Sequence, residues 1–206
     1  MRIGIIGPGN VGSALGSGWS KAGHKVIFGS RNPTSQKMTE LARSTDATAT
    51  SNREAAEADV IVLTTPWPAT KEAVSGLLLA GKVLVDVTNP LLPDLSGLEV
   101  GTTTSGAEQV AQWANGARVV KAFNTVGFNV MTHPQFRDGS AVMFYCGDDA
   151  EAKRIVHQLA MDLGFDPHDA GPLTQARYLE PFAMLWITLA LNYGYGREFG
   201  FKLMRK

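Results

Sequence analysis

A glycine-rich segment near the N-terminus constrains the fold more than any other feature of the chain. Glycines stand at positions 7, 9 and 12, in the spacing GxGxxG, directly after the apolar run Arg2–Ile6 and at the start of the amphipathic stretch Val11–Ala22. The first glycine permits a tight turn, the second lets the backbone approach a ligand, and the third lets a helix pack closely on a strand. The sequence therefore predicts a strand, a tight loop and a helix in succession.

The same segment predicts a binding site for a diphosphate. The N–H groups in the first turn of a helix have no intrahelical partner, and the helix dipole adds to their attraction for anions. We expect the N–H groups of Asn10 and Val11 to point at the phosphates of a dinucleotide. The predicted binding residues are Gly7, Pro8, Gly9, Asn10, Val11 and Gly12. The alternative is a glycine turn that binds nothing.

Short apolar runs alternate with amphipathic stretches along the rest of the chain. The expected strands are Arg2–Ile6, Lys25–Phe28, Val60–Thr64, Val83–Val87, Val119–Phe123 and Ala141–Tyr145, with weaker ones near Ala47–Thr50 and Phe165–Asp169. The expected helices are Val11–Ala22, Thr34–Arg43, Ala69–Leu79, Ala107–Ala114 and Asp149–Leu163. This alternation predicts an α/β fold with a Rossmann-like, doubly wound and mostly parallel sheet.

The C-terminal part of the chain has a different pattern. Residues 173–206 are predicted to be helical, and Phe182–Leu191 is nearly apolar on all sides. A helix that is apolar all round must be buried. We therefore expect a dinucleotide-binding domain over residues 1–172 and a helical segment over residues 173–206 that packs on this domain or on a second copy. We favour the second copy, which would make the protein a homodimer.

Composition narrows the class of protein and its partners. Of 206 residues, 44% are hydrophobic and 18% are charged, which is typical of a globular chain. Lys+Arg and Asp+Glu both number 19, which argues against nucleic acid or an anionic membrane as the main partner but allows a local basic pocket. No signal peptide or membrane-spanning stretch is predicted. The one cysteine excludes an intrachain disulfide and a cysteine-based zinc site, and fits a cytoplasmic location.

The end of the second predicted strand indicates which dinucleotide is bound. A site selective for NAD would place Asp or Glu there to accept a hydrogen bond from the ribose 2′-hydroxyl. This chain has Ser30 and Arg31 instead, followed by Asn32, and Lys37 adds a charge nearby. A hydroxyl and a guanidinium can bind a 2′-phosphate, at about 1.5–3 kcal/mol for each charge-assisted bond. The sequence therefore predicts a preference for NADP(H) over NAD(H) of well over tenfold; the alternative is a solvated arginine.

Three later strands end in segments that we expect to line the rest of the cleft, because ligands of open α/β sheets bind at the carboxyl ends of the strands. The first segment contains Thr65, Pro66 and Trp67, of which the last two would form the floor under the cofactor. Asn89, Asn124 and Thr125 could offer hydrogen bonds to the nicotinamide carboxamide or to a second substrate. Each proline is as well explained as a residue that ends a strand.

The chain resembles a known family over nearly its whole length. The segments GIIGPGNVG, VIFGSRNP, VLTTPWP, VVKAFNT, FYCGDDAEAK and DAGPL are similar to those of the F420-dependent NADP oxidoreductases, and also to the cytosolic domain of the six-transmembrane metalloreductases. The resemblance implies transfer of a hydride between NADPH and a flavin or deazaflavin ring stacked on the nicotinamide. It implies that the nicotinamide faces Ala122, Phe123, Asn124 and Thr125. Archaeal deazaflavin enzymes carry a histidine in place of Asn124, so this segment is closer to the metalloreductase version.

No side chain is expected to act as an acid, a base or a metal ligand. Hydride transfer between two rings needs alignment more than proton transfer, and no catalytic triad or metal motif is present. Cys146 is predicted to be a buried, small apolar residue. Two alternatives to an NADPH-dependent oxidoreductase remain open: a non-catalytic NADP(H)-binding redox sensor, and a reductase of small carbonyls or imines. Reductases of small carbonyls or imines usually have a separate helical domain that binds the substrate. Too few residues follow the last predicted strand of this chain to form such a domain.

Overall fold

The computed structural model describes residues 1–206 and contains an eight-stranded sheet with helices on both faces, plus a two-stranded hairpin. The strands are β1 (Arg2–Ile6), β2 (Lys25–Gly29), β3 (Thr48–Thr50), β4 (Val60–Leu63), β5 (Val83–Asp86), β6 (Arg118–Lys121), β7 (Gln135–Phe136), β8 (Gly139–Ser140), β9 (Val142–Gly147) and β10 (Asp166–Asp169). The sheet order is β10-β9-β6-β5-β4-β1-β2-β3, and β7 pairs with β8. The run β3-β2-β1-β4-β5-β6 is the Rossmann order, which confirms the predicted fold class.

The structure contains eight α-helices, the last of which follows the last strand. They are α1 (Asn10–Lys21), α2 (Gln36–Ser44), α3 (Asn52–Ala55), α4 (Trp67–Ser75), α5 (Gly106–Trp113), α6 (Phe128–Met131), α7 (Ala150–Asp162) and α8 (Ala176–Asn192), and a 3₁₀ turn at Leu173–Gln175 precedes α8. Two apolar clusters fill the two faces of the sheet. One contains side chains of α1 and α7, and the other contains side chains of α4, α5 and α8. The central strand β4 is buried along its whole length, as expected of a strand covered on both sides.

Every predicted strand is present, and most boundaries agree within one or two residues. The strands from β1 to β6 are parallel, whereas β9 runs antiparallel to β6 and β10 runs parallel to β9. The prediction that β6 extends to Phe123 is wrong, because the strand ends at Lys121. Phe123 has φ 58°, in the left-handed region, and a residue in that conformation cannot continue a strand. Helices α3 and α6 and the β7–β8 hairpin were not predicted.

The prediction that all of residues 173–206 are helical is also wrong. Helix α8 ends at Asn192, and the following residues form an irregular segment. Gly194 and Gly196 have φ 74° and φ 71°, which an α-helix does not accommodate. The segment folds back on the protein: the Trp186 indole N–H donates to the Phe199 carbonyl at 3.0 Å, and the Val142 N–H donates to the Phe201 carbonyl at 2.8 Å.

One face of α8 packs on the domain and the other is exposed. The side chains of Leu179, Ala183 and Trp186 are buried. On the other face, Leu185 is 50% exposed and Leu191 is 44% exposed. No helix of the structure combines the length and the apolar character that crossing a lipid bilayer would require.

A buried cluster of three charges connects the sheet to α8. The Lys121 ammonium lies 3.0 Å from an Asp86 carboxylate oxygen and 2.9 Å from a Glu180 carboxylate oxygen, and all three side chains are fully buried. Glu180 also accepts hydrogen bonds from the Gly106 and Ala107 N–H groups at the start of α5, at 2.8 and 3.0 Å. Asp86 accepts from the Thr88 N–H and hydroxyl, at 3.0 and 2.7 Å. Every charge in the cluster therefore has an opposite charge and further hydrogen bonds.

The pKa of Lys121 is raised above its ordinary value. Burial is the largest influence and acts to lower the pKa, but the charges of Asp86 and Glu180 and their hydrogen bonds together outweigh it. The two carboxylates thus favour the charged form of Lys121, which joins the ends of β5 and β6 to α8.

We expect Glu180→Gln to lower the free energy of unfolding by about 2 kcal/mol. The amide has one acceptor oxygen where the carboxylate has two, so at least one buried donor among Lys121, Gly106 and Ala107 loses its partner. Urea unfolding at neutral pH measures the difference. Glu57→Gln, at an exposed carboxylate, is the matched control and should change stability by less than about 0.5 kcal/mol. Equal unfolding midpoints for the two variants would show that the buried cluster does not stabilise the fold.

Candidate functional site

Two adjoining cavities lie at the carboxyl ends of the parallel strands, where the strand order reverses between β1 and β4. The first, of about 720 Å³, extends from the glycine loop toward α6 and the C-terminal segment, and we call it the distal cavity. The second, of about 660 Å³, lies over the ends of β2 and β3, and we call it the proximal cavity. Both are lined by Gly7, Pro8, Thr65 and Pro66, so they form one cleft.

The glycine loop has the geometry that its spacing predicts. Gly7 has φ 102°, and a Cβ atom at Gly12 would lie 2.5 Å from the Gly7 carbonyl oxygen and 2.7 Å from the Thr64 hydroxyl. Gly12 is therefore a packing residue and lines neither cavity. A Cβ atom at Gly9, in contrast, would have no protein atom within 4 Å. Position 9 is thus open toward the cleft.

The N-terminus of α1 faces this opening with unpaired donors. Gly9 is the N-cap residue, and no side chain caps the helix. The first backbone hydrogen bond of the helix runs from the Ser13 N–H to the Gly9 carbonyl at 2.8 Å, so the N–H groups of Asn10 and Val11 have no backbone acceptor. Both residues line the distal cavity. Free N–H groups at a helix N-terminus are a favourable environment for an anion.

The proximal cavity contains the residues that the sequence predicts to bind the 2′-phosphate of NADP(H). Ser30, Arg31 and Asn32 line it, and the Asn32 N–H donates to the Ser30 hydroxyl at 3.1 Å. Lys37 lies instead on the distal cavity. Arg53, at the start of α3, also lines the proximal cavity, so two arginines contribute to this lining.

The cleft is cationic although the chain as a whole is neutral. Its lining includes one acidic residue, Glu72, and four basic residues, which are Arg31, Lys37, Arg53 and Arg197. None of the four takes part in a salt bridge, whereas Arg118, Arg154 and Arg177 each bridge a carboxylate elsewhere. Unneutralised charge on the walls of a cleft attracts anionic ligands.

One wall of the distal cavity is formed by the segment after β4. Thr65, Pro66 and Trp67 all line it, as predicted. The Thr65 hydroxyl lies 3.0 Å from the Thr70 hydroxyl, and the Trp67 ring packs against Trp113 at 5.3 Å between centroids. Pro66 is the N-cap residue of α4, so this proline both starts a helix and lines the cavity.

Asn89 and Asn124 form an interlocked pair at the ends of β5 and β6. Asn89 lines the distal cavity and donates from its amide to the Asn124 carbonyl at 3.0 Å. The Asn124 amide donates to the Asn89 side-chain oxygen and to the Leu179 carbonyl, both at 3.1 Å. The side-chain oxygen of Asn124 is buried without a partner. Asn124 thus lies behind Asn89 and fixes its orientation.

None of the four predicted residues 122–125, Asn124 included, lies in the wall of either cavity. Ala122, Phe123 and Thr125 are buried and line neither cavity. The Phe123 ring packs in the core at 5.5 Å from Trp19, and the Phe123 N–H donates to the Met143 sulfur at 3.1 Å. With φ 58° at Phe123, a strained conformation for a bulky residue, the chain turns so that Asn124 points at Asn89.

Several lining residues were not predicted from the sequence. Arg53 follows a three-residue strand, and its only signal is the capping box formed by Ser51 and Glu54. The distal cavity is also lined by Leu91, Leu92, Pro93, Leu95, Phe128 and Arg197. No motif marks these residues, because they come together only through tertiary packing.

The titratable groups outside the cleft give no sign of nucleophilic or metal chemistry. Cys146 is fully buried as predicted, and burial raises the pKa of its thiol to about 12, so the thiol is protonated at neutral pH. No group of three or more His, Cys, Asp and Glu residues is placed to hold a metal ion.

The chain is similar to proteins of one family along most of its length. The model of the family described as NADP oxidoreductase, coenzyme F420-dependent, matches residues 2–90. The F420-dependent NADP reductase of Methanothermobacter thermautotrophicus is 30% identical over 93% of this chain and 90% of its own length. A crystal structure from Arthrobacter sp. FB24, of a candidate F420-dependent NADP reductase, superposes with a TM-score of 0.85 at 29% identity and covers both chains fully.

A second group of relatives is much longer. The metalloreductase STEAP3 of Rattus norvegicus is 33% identical over 87% of this chain. The chain spans only 36% of that protein's length.

Proposed function

The chain belongs to the F420-dependent NADP reductase family, and from this premise we propose that it binds NADP(H) along the cleft and transfers a hydride between the nicotinamide and a flavin or deazaflavin ring. The observation that carries the proposal is the shape and charge of the cleft. A proximal cavity with two guanidinium groups, a glycine loop with free N–H groups and a large distal cavity follow one another in the order of a dinucleotide's parts.

The glycine loop fits a diphosphate by an independent structural criterion. The space beside Gly9 is large enough that an added Cβ atom would touch no protein atom, so a phosphate can approach the backbone there. Gly7, Pro8, Asn10 and Val11 surround this space. Gly12 contributes indirectly, because the close packing of α1 on β1 aims the free N–H groups at the cleft.

The proximal cavity fits a ribose that carries a 2′-phosphate. In our proposal Arg31 and Arg53 bind the phosphate from two elements, and Ser30 and Asn32 hydrogen-bond to it or to the ribose. Lys37, on the distal side of the loop, adds long-range attraction. The cavity presents no Asp or Glu at the end of β2, which is where an NAD site would have one.

The distal cavity fits the nicotinamide together with a second ring. Thr65, Pro66 and Trp67 provide a wall for the nicotinamide, and Asn89 offers its amide to the carboxamide. Asn124 acts through Asn89, and the buried residues Ala122, Phe123 and Thr125 fix this geometry from behind. At about 720 Å³ the cavity is in the upper part of the ~300–1,000 Å³ range of small-molecule sites, so it leaves room for an acceptor.

The chemistry follows from this arrangement. When bound, NADPH supplies one hydride, which is a proton with two electrons, and becomes NADP⁺; the acceptor ring takes this hydride together with one proton from solvent. The residues of the cleft hold two planar rings in contact and exclude water from between them, which is the form of catalysis that hydride transfer needs. A carbonyl or imine reductase would need an acid that protonates the product, and the distal cavity is lined by no His, Tyr, Cys, Asp or Glu, so Lys37 and Arg197 are its ionisable side chains.

An acceptor screen tests this function. NADPH is mixed with the protein and FMN, FAD, riboflavin or deazaflavin F420, and loss of the nicotinamide absorbance is followed. We expect oxidation with at least one acceptor. Gly9→Ala should slow it by weakening NADPH binding, without lowering thermal stability, because its Cβ atom enters only the ligand space. Tight NADPH binding without oxidation by any acceptor would favour the redox-sensor alternative, and absence of NADPH binding would contradict the whole proposal.

Arg31→Ala and Arg53→Ala should each lower the affinity for NADPH by about tenfold or more, since each removes a charge-assisted bond to the 2′-phosphate. The affinity for NADH, which lacks this phosphate, should stay nearly constant. Calorimetric Kd values for both nucleotides give the ratio. Arg43→Ala, at an exposed arginine of α2 outside both cavities, is the control. An unchanged NADPH/NADH ratio in Arg31→Ala would show that the 2′-phosphate binds elsewhere.

We also propose that the exposed apolar face of α8 forms a homodimer, in which Leu185 and Leu191 pack against a second copy. Leu185→Lys should shift the protein toward the monomer in sedimentation velocity. Leu78→Lys, at a leucine that is 81% exposed outside α8, should leave the oligomeric state unchanged. A wild-type monomer at all concentrations would contradict the dimer. A cytoplasmic location, in keeping with the free thiol of Cys146, is part of the same proposal.

A further inference from the structure

The C-terminal segment after α8 places one arginine in the distal cavity. Arg197 lines the cavity beside Phe128, although it lies 185 residues after Gly12 in the chain. It is exposed, and no salt bridge of the structure includes it. The lining of this cavity contains no Asp or Glu, so nothing on its walls neutralises the guanidinium.

The backbone that carries Arg197 is held in place by specific contacts. The Phe199 ring stacks on Trp186 of α8, at 5.1 Å between centroids and 17° between planes, and the Phe199 carbonyl accepts from the Trp186 indole. On the opposite side the Arg197 carbonyl oxygen lies 3.3 Å from where a Cβ atom of Gly127 would be. The neighbouring Glu198 accepts from the Asn129 side chain at 3.4 Å. Arg197 is therefore presented to the cavity by a packed segment rather than by a free tail.

In the proposed arrangement, the charged groups of the nucleotide already have partners other than Arg197. The diphosphate lies over the N-terminus of α1, and the 2′-phosphate lies between Arg31 and Arg53 in the proximal cavity. The same cavity is lined by the apolar side chains of Leu91, Leu92, Pro93 and Leu95, which the segment after β5 contributes. A wall that combines apolar side chains with two unneutralised cations, Lys37 and Arg197, fits a planar ring that carries an anionic side chain.

We propose that Arg197 binds a phosphate on the hydride acceptor, and that the acceptors of this protein are therefore phosphate-bearing flavins or deazaflavins rather than neutral ones. The proposal rests on the proposed function of the cleft. It adds the class of the second substrate and a residue that selects it. Arg197 is a binding residue, so its removal should act on acceptor affinity and leave NADPH affinity unchanged.

FMN and riboflavin form a matched pair of probes, because they share one ring system and differ by a phosphate. Their Kd values can be measured by quenching of flavin fluorescence with saturating NADP⁺ present, without any turnover. The wild-type protein should bind FMN about tenfold or more tightly than riboflavin, the gain expected of a charged hydrogen bond. Arg197→Gln should abolish this difference by weakening FMN alone, and Arg197→Lys should retain part of it. Arg205→Gln, at an exposed tail arginine outside both cavities, should behave as wild type.

Each other outcome overturns the inference or separates it from the proposed function. Equal affinities of the wild-type protein for FMN and riboflavin, or no binding of either, would overturn it. Weaker NADPH binding by Arg197→Gln would assign the arginine to the nucleotide and would also overturn it. If FMN binds through Arg197 but NADPH does not reduce it, the inference on binding stands and the proposed hydride transfer to flavin fails.

Discussion

The close approach of α1 to the glycine loop is the contact on which the rest of the cleft depends. With no Cβ at position 12, the first turn of the helix lies against the Gly7 carbonyl and the Thr64 side chain, at distances that any other residue would violate. Thr64 in turn donates to the Gly7 carbonyl at 2.6 Å, which ties the end of β4 to the loop. As a result the free N–H groups of α1 point at the edge where the strand order reverses, the usual ligand position in open α/β sheets.

The buried charges of Lys121, Asp86 and Glu180 fix the positions of other elements that line the cleft. A buried ion pair is costly to desolvate and rarely adds stability over an apolar alternative, so its value here is best sought in geometry. Glu180 connects α8 to the start of α5, and Asp86 fixes Thr88 beside Asn89. Because α8 also carries Trp186, the same cluster anchors the segment that presents Arg197. The two ends of the distal cavity are thus positioned by one set of buried contacts.

The sequence was informative where function depends on local spacing, and uninformative where it depends on tertiary contacts. The glycine loop and the serine–arginine pair after β2 could be located because each is a short motif after a strand. Arg53 was missed although the strand before it was expected, because it lies in the unpredicted four-residue helix α3 and no local motif connects it with the end of β2. Ala122 and Phe123 were predicted to face the cleft, but both are buried, because the chain makes a left-handed turn at Phe123. Such a conformation in a phenylalanine is imposed by surrounding packing and has no local signature.

The distribution of charge explains how a chain with no net charge can present an anion-binding cleft. The cations at the two ends come from unrelated elements: Arg31 and Arg53 follow β2 and β3, whereas Arg197 follows α8. Residues that share no contacts contribute almost independently to binding free energy. In the proposed arrangement, selection of the nucleotide and selection of the acceptor can therefore vary separately. A change at the C-terminal segment can alter the acceptor while β1, α1 and the glycine loop still hold the hydride donor in place.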